Sequence, residues 1–362
     1  SVENNIVPET LPQTTQAIQA WDPKSGEAPG EAVYAALYAD LKVAVKARNH
    51  TKVASRLNYE TPGIASLFRK SGRRIKKMKD GNYKEQFLKM DKNWGKLFVW
   101  ETIHRFSGPY TSGYFLSSVD AEKTSEGVSL KPEDERLYLY LLWRTMLLSV
   151  VITITCVLLG YPIAYILADL PLRTSNLLMI LVLLPFWTSL LVRTSSWIVL
   201  LQEQGVINDF LVMLGIIDDQ SRLALMYNET GTVIAMTHIL LPFMILPLFS
   251  VMKTVSPSYM RAAKSLGASD WTAFWRVYFP NTIPGIGAGG VLVFILAIGY
   301  YITPELVGGT SGIFISNRIA YHISSSLNWG LGAALGVMLL GVVLVMYFIY
   351  DKIVGIDNVK LG

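Results

Sequence analysis

Hydrophobic and polar positions follow two different patterns along this chain, and the change comes near residue 136. Before it, apolar residues recur at short helical spacing among many charges, as in AVYAALYADLKVAVKARNHTKVASRL, which predicts one or two amphipathic helices over 31–57. After it, apolar stretches lengthen and lose their charges. The segments 145–168, 174–192, 230–252, 277–304 and 319–350 contain no Asp, Glu, Lys or Arg. About 20 largely apolar residues cross a hydrocarbon core, so these are five candidate spans. The expected fold class is an all-α polytopic membrane protein. Residues 1–136 form a mainly helical extracytoplasmic region, and 137–362 form the transmembrane domain.

Charge sharpens that division. Of the 59 Asp, Glu, Lys and Arg residues, 21 fall in 137–362, so the first 136 residues hold most of the charge. Within the first region, 1–30 carries Pro8, Pro12, Pro23 and Pro29 and reads as extended or loosely ordered. The basic run from Arg69 to Lys79 reads as a solvated face, with anionic lipid headgroups or a partner as the alternative ligand. Tyr114, Phe115 and Leu116 are candidates to pack on a membrane surface.

Basic residues in the connections set an orientation. If the first span enters the cytoplasm, the inner segments carry Arg173, Lys253, Arg261, Lys264, Arg276, Lys352 and Lys360. The outer ones carry Arg222 and Arg318, with Arg193 near an outer end. The positive-inside rule favours this choice, which puts the first region outside and the C-terminus inside. An odd number of spans then leads us to expect a further span or signal before Ser1.

Reactive chemistry is sparse. No GxxxxGK[ST] phosphate loop occurs, so energy for any transport comes from another subunit or from an ion gradient. The single cysteine, Cys156, lies inside a predicted span and reads as a small apolar packing residue. His50 and His104 lack partners at metal-ligand spacing, and no metal site is expected. His238 and His322 within predicted spans, with Arg193 and Glu305 near span ends, are functional candidates because ionisable groups are costly in lipid. Gly285 with Gly289, and Gly332 with Gly336, are spaced for close helix approach. Pro162, Pro185, Pro242, Pro247 and Pro304 are candidate kinks.

The most informative stretch is SYMRAAKSLGASDWTAFWRVYFP, residues 258–280. Pro257 and Ser258 suit a helix start, and Gly267 suits the left-handed position at its end. A second short helix is expected from Ser269 or Asp270, carrying Trp271, Phe274, Trp275 and Tyr278, with Pro280 stopping it. Spacing alone leaves two readings open, a plain basic loop between spans or a helix-turn-helix-like knuckle in the cytoplasm.

This stretch resembles the EAA loop of permease subunits in binding-protein-dependent ABC importers. It matches at Ala262, Ala263, Gly267 and Pro280, and departs at Arg261, where Glu is usual, and at Phe279, where Leu is usual. GYPIAYILADLP, LLPFWTSLLVRTSSWIVLLQEQGVIN, LPFMILPLFSVM and YYITPELVGG extend the resemblance to the spermidine/putrescine branch, in particular the first permease of its pair. The resemblance implies the type I permease fold, five visible spans of a usual six, and a site in the bacterial inner membrane. It implies no catalysis and no cofactor bound by this chain, with ATP and Mg on a separate ATP-binding subunit present in two copies. Its further partners would be a second permease subunit, a periplasmic solute-binding protein and the lipid bilayer, with no nucleic acid.

Arg261, Ala262, Ala263, Gly267 and Pro280 would then form the ATPase-coupling loop. Trp187, Arg193, Trp197, His238, Tyr300, Tyr301 and Glu305 are candidates for the translocation path of a polyamine or similar small charged solute, by charge and cation–π attraction. An ion-coupled secondary transporter and a membrane-anchored sensor are the competing readings. The chain shows neither clear internal repeats for the first nor an output domain for the second.

Overall fold

The computed structural model describes residues 5–124 and 127–354. Lys360 and the region around Ser1, both used above, lie outside them. Two compact units form. One comprises the described residues up to Leu130 together with Asn328–Ala334, and the other Lys131–Leu327 with the described residues from Leu335 onward.

The first unit contains helices α1 Ile6–Thr10, α2 Pro12–Ile18, α3 Glu31–Lys46, α4 His50–Asn58, α5 Ile64–Arg74, α6 Tyr83–Met90, α7 Leu97–Arg105 and α8 Gly113–Ser118. An antiparallel hairpin, β1 Ala121–Thr124 and β2 Gly127–Leu130, follows. The expectation of a loosely ordered 1–30 is corrected, since α1 and α2 occupy much of it. Pro12 stands at the first turn of α2, where a missing N–H costs nothing. Asp40 then caps that turn, accepting from the Thr14 amide at 2.7 Å and the Thr14 hydroxyl at 2.8 Å.

Around these helices lies an aromatic core. Trp94, Trp100, Tyr34, Phe68 and Phe87 are fully buried. Their polar atoms are satisfied internally: the Tyr34 hydroxyl and the Trp100 indole N–H both donate to the Trp94 carbonyl at 2.7 Å, and the Trp94 indole N–H donates to Ser71 Oγ at 2.9 Å. Burial pushes the Tyr34 phenol up to about 12. Tyr114 is buried within this unit: the Arg56 guanidinium lies 4.4 Å from its ring centroid, and a Cβ on Gly330 would fall 2.4 Å from the ring. Phe115 does remain exposed.

The second unit contains α9 Tyr138–Asp169, α10 Leu172–Leu183, α11 Leu190–Leu201, α12 Val206–Met213, α13 Glu229–Thr254, α14 Pro257–Ser265, α15 Asp270–Ala273, α16 Phe279–Gly299, α17 Ile302–Val307, α18 Ile315–Ser324 and most of α19 Trp329–Val354. Among the described residues, four helical stretches are long and apolar enough to span a membrane: Tyr138–Asp169, Glu229–Thr254, Asp270–Gly299 and Trp329–Lys352. A bent pair makes up to a fifth.

Three expected spans are modified. Residues 174–192 are no single straight helix: Pro185 ends α10 in a 3-10 turn, Thr188 and Ser189 are extended, and the two halves meet at 94°. The span expected over 277–304 stops at Gly299, and α17 follows separately with Glu305 on it. The one expected over 319–350 breaks before Trp329, which leaves His322 on α18, outside the spanning helix. Hydropathy alone hid these breaks, because extended and helical backbone can carry the same apolar residues.

Packing in this unit centres on α9, α13 and α16. A Cβ on Gly289 would lie 2.7 Å from Met244 sulfur, one on Gly285 would lie 3.0 Å from Val251 Cβ, and one on Gly160 would lie 3.1 Å from Met244 Cγ. The Gly285 and Gly289 pair therefore seats α16 against α13. Gly336 differs, with nothing within 4 Å of a Cβ placed there. Cys156 is buried, its thiol 3.6 Å from the Thr237 carbonyl.

Candidate functional site

The knuckle at 258–280 is built by local capping. Ser256 caps α14, its Oγ accepting from the Ser258 amide at 3.3 Å, and Pro257 occupies the first turn. At the other end the Ala268 amide donates to the Ala263 carbonyl at 3.1 Å, and the Gly267 amide donates to the Lys264 carbonyl at 2.9 Å. These are the paired bonds of a Schellman motif, and Gly267 sits at φ +88° as that motif requires. No atom lies within 4 Å of a Cβ at this glycine, so backbone conformation rather than space selects it. Ser269 then caps α15 through the Thr272 amide at 3.3 Å. Lys264 and Asp270 form an ion pair across the turn.

Past α15, one expectation fails. Pro280 does not stop the helix, which runs through it from Asp270 to Gly299. Residues Phe274–Tyr278 form a π-helical segment just before it. This wider turn sits where an α-helical proline ring would meet the carbonyl four residues back, and Asn281 Nδ2 donates to the Val277 carbonyl at 2.6 Å.

Aromatic rings tie this segment to α9. Tyr161 approaches Phe274 at 6.3 Å and Phe279 at 5.7 Å, while Tyr165 approaches Phe274 at 5.8 Å and Tyr278 at 5.3 Å between centroids. The Tyr161 hydroxyl also lies 3.0 Å from Thr282 Oγ1. Lys253, at the end of α13, donates to the Ala168 carbonyl at 2.7 Å at the end of α9. Sequence reasoning missed Tyr161, Tyr165 and Thr282, because they belong to apolar runs whose periodicity does not single them out.

The tip of the knuckle has no buried residue in α14. Leu266 is 89% exposed and Trp271 72%, with Tyr259, Arg261 and Ala262 also exposed and Ala263 half-buried. A rigid base thus carries a projecting apolar and basic tip.

The candidate path residues fall into separate groups. The Trp197 indole N–H donates to His238 Nδ1 at 3.1 Å, joining α11 to α13. Arg193 lies one turn before Trp197 and donates to the Thr188 carbonyl at 3.1 Å, closing the extended break between α10 and α11. The Tyr300 and Tyr301 carbonyls accept from Ser316 at 2.6 Å and Asn317 at 2.8 Å, and Asn317 also donates to Glu305 at 2.6 Å. Asn317 therefore joins α17 to α18, a role that no pattern in the sequence marked. Trp187 is 87% exposed and stands apart from the others. His322 instead pairs with Tyr138 at 2.9 Å and Ser326 at 2.9 Å. Among the described residues no group of His, Cys, Asp and Glu could hold a metal ion.

Comparison with known proteins places residues 160–354 in the family described as binding-protein-dependent transport system inner membrane component. The spermidine/putrescine transport system permease protein PotB of Salmonella typhimurium strain SL1344 is 36% identical over 226 residues, 62% of this chain and 78% of that protein. PotB of Escherichia coli K12 is 35% identical over 225 residues, 62% and 81% of the two chains. The inner membrane ABC transporter permease protein YdcU of E. coli K12 is 30% identical over 262 residues, 69% and 82%. Among solved structures, a bacterial ABC transporter involved in the import of the acidic polysaccharide alginate matches with a TM-score of 0.53 at 16% identity, over 82% of this chain and 99% of that one, a likeness of fold.

Proposed function

Because the chain belongs to the binding-protein-dependent transport system inner membrane component family, we propose that it forms half of an ATP-driven solute path and is coupled to a separate ATPase through the 258–280 knuckle. Membership makes it a multi-pass inner-membrane permease subunit, not an enzyme, and removes the ion-coupled and sensor readings. One observation supports the coupling role above others. The Gly267 turn presents Leu266 and Trp271 to solvent while the Tyr161 and Tyr165 rings fasten the same segment to α9. A push on the tip is thereby transmitted to a membrane helix instead of being absorbed by a flexible loop.

In this reading the knuckle faces the cytoplasm and the first unit lies in the periplasm. Two copies of the ATPase, with their ATP and Mg, sit against this chain and a second permease. A periplasmic binding protein delivers the solute. The likeness to the spermidine/putrescine permeases supports a polyamine or a similar small charged solute as cargo. Exposed Glu305 and Tyr301, with Trp197 beside His238, supply carboxylate and aromatic faces for a cation, whereas Arg193 opposes one.

Purification of the full chain from its own cells in mild detergent, with co-purifying chains identified by mass spectrometry, tests the assembly. We expect an ATPase and a second permease. A homogeneous preparation without an ATPase would sink the proposal.

A further inference from the structure

The first unit carries a charge pattern that the permease role does not use. Helix α5 buries Ile64, Leu67, Phe68, Ser71 and Gly72 and turns Arg69 and Arg73 outward, and Lys76, Lys77 and Lys79 continue the exposed side beyond its end. Positions 69, 73 and 76–77 lie on one helical stripe. The adjacent stripe is engaged within the protein: Lys70 pairs with Asp91 at 2.7 Å, and Arg74 donates to the Met90 carbonyl at 3.3 Å. The Lys70 hydrogen bond and the Asn93 amide hold the Asp91 carboxyl below its ordinary range, so that acid is committed to Lys70. Among the described residues, no ion pair takes up Arg69, Arg73, Lys76, Lys77 or Lys79. Asp80 is the one acidic residue between Thr61 and Lys84.

We propose that Arg69, Arg73, Lys76, Lys77 and Lys79 form a docking surface for anionic phospholipid headgroups. Two observations favour lipid over an acidic protein. None of the exposed large hydrophobic residues lies between Tyr59 and Phe98 in the sequence, so the segment that carries the stripe supplies no aromatic or apolar anchor of the kind that concentrates energy in protein interfaces. Adsorption to a charged membrane needs no such anchor, and each cation near an anionic surface is worth about a fivefold gain in partition. The second observation is the tether. Residues 131–137 separate the first unit from the start of α9, a reach of at most about 25 Å. Asn328–Ala334 run directly into a spanning helix. The unit is therefore tethered to spanning helices through 131–137 and through Asn328–Ala334, and the stripe needs no encounter from solution.

The test places a nitroxide at Ser66→Cys, an exposed position one turn before Arg69, in the full chain. The protein is reconstituted in nanodiscs of phosphatidylcholine alone or with phosphatidylglycerol added. Accessibility of the label to a water-soluble paramagnetic relaxer is read by spin resonance. We expect a several-fold fall in accessibility with phosphatidylglycerol. It should be reversed by salt that shortens the screening length from ~10 Å at 0.1 M to ~3 Å at 1 M. It should also vanish when Arg69, Arg73, Lys76 and Lys77 are all changed to Glu. Near-ultraviolet circular dichroism of the buried tryptophans verifies that this variant is folded. If it is not, the single changes Arg73→Gln and Lys77→Gln should each give a partial loss. Equal accessibility in both lipids would overturn the proposal, as would a fall that survives charge reversal. A fall in phosphatidylcholine that appears only when an acidic protein is added would overturn it too, by assigning the stripe to a protein.

Discussion

The two units spend the same residue types in opposite ways. In the first, Trp94, Trp100, Phe68 and Phe87 are fully buried and Arg69, Arg73 and Lys77 face out. In the second, Trp187 is 87% exposed, and only 17% of the apolar window of the last span is buried within the chain. A water-facing fold must hide its large apolar groups, while a lipid-facing one need bury only what fixes helix against helix. The first unit therefore packs around a few large aromatic side chains, and the second around Leu, Ile and Met side chains that meet where small residues let backbones approach.

Changing the largest buried side chain sharpens that contrast most. Trp94→Ala removes an indole packed by Phe68, Phe87 and Trp100 together with its bond to Ser71, and should cost the first unit about 3–5 kcal/mol. Near-ultraviolet dichroism on heating the detergent-solubilised chain would report it as an early transition. Leu340→Ala, at a 56% exposed position on α19, should leave that transition and the membrane unit unchanged.

Next in size is a change from small to large. Gly289→Leu would drive a side chain into Met244, where even a Cβ meets sulfur at 2.7 Å, and should destabilise the α13 and α16 pair by about 1–3 kcal/mol. Gly336→Leu meets nothing within 4 Å of its Cβ in this chain and should be silent in the isolated subunit. Thermal aggregation in detergent compares the two. Equal effects would break the distinction between paired and unpaired glycines.

Much of this organisation was legible beforehand. The length of the charge-free runs marked the membrane unit, and Gly267 marked a helix end, because lipid thickness and positive φ act on local sequence, whereas the knuckle as a whole came from the family resemblance, spacing alone having left a plain loop open. Pro185, a candidate kink, does end α10 beside the 94° bend, but the breaks at Tyr300–Tyr301 and before Trp329 were not legible, since they depend on how non-adjacent segments pair. Asn317 shows why. Its amide serves the Tyr301 carbonyl and Glu305 from another helix, a relation that periodicity along the chain does not encode. The helices within 1–30 were hidden for the opposite reason. Pro8 and Pro12 read as breakers until the first-turn position of Pro12 and the cap from Asp40, 26 residues beyond Thr14, are known.

The knuckle joins the two modes, with a membrane-anchored base and a tip that leaves apolar groups bare. Gly267→Val forces a β-branched residue to φ +88°, which costs about 1–3 kcal/mol of local strain and reshapes the turn that presents Leu266. The most direct test of the account is ATPase retention and solute-stimulated ATP hydrolysis in complexes purified through this chain, comparing the natural sequence with Gly267→Val and with Leu266→Asp. The account predicts that both variants remain folded in the membrane but lose the ATPase or its stimulation. Full ATPase retention with unchanged stimulated hydrolysis in both would contradict it.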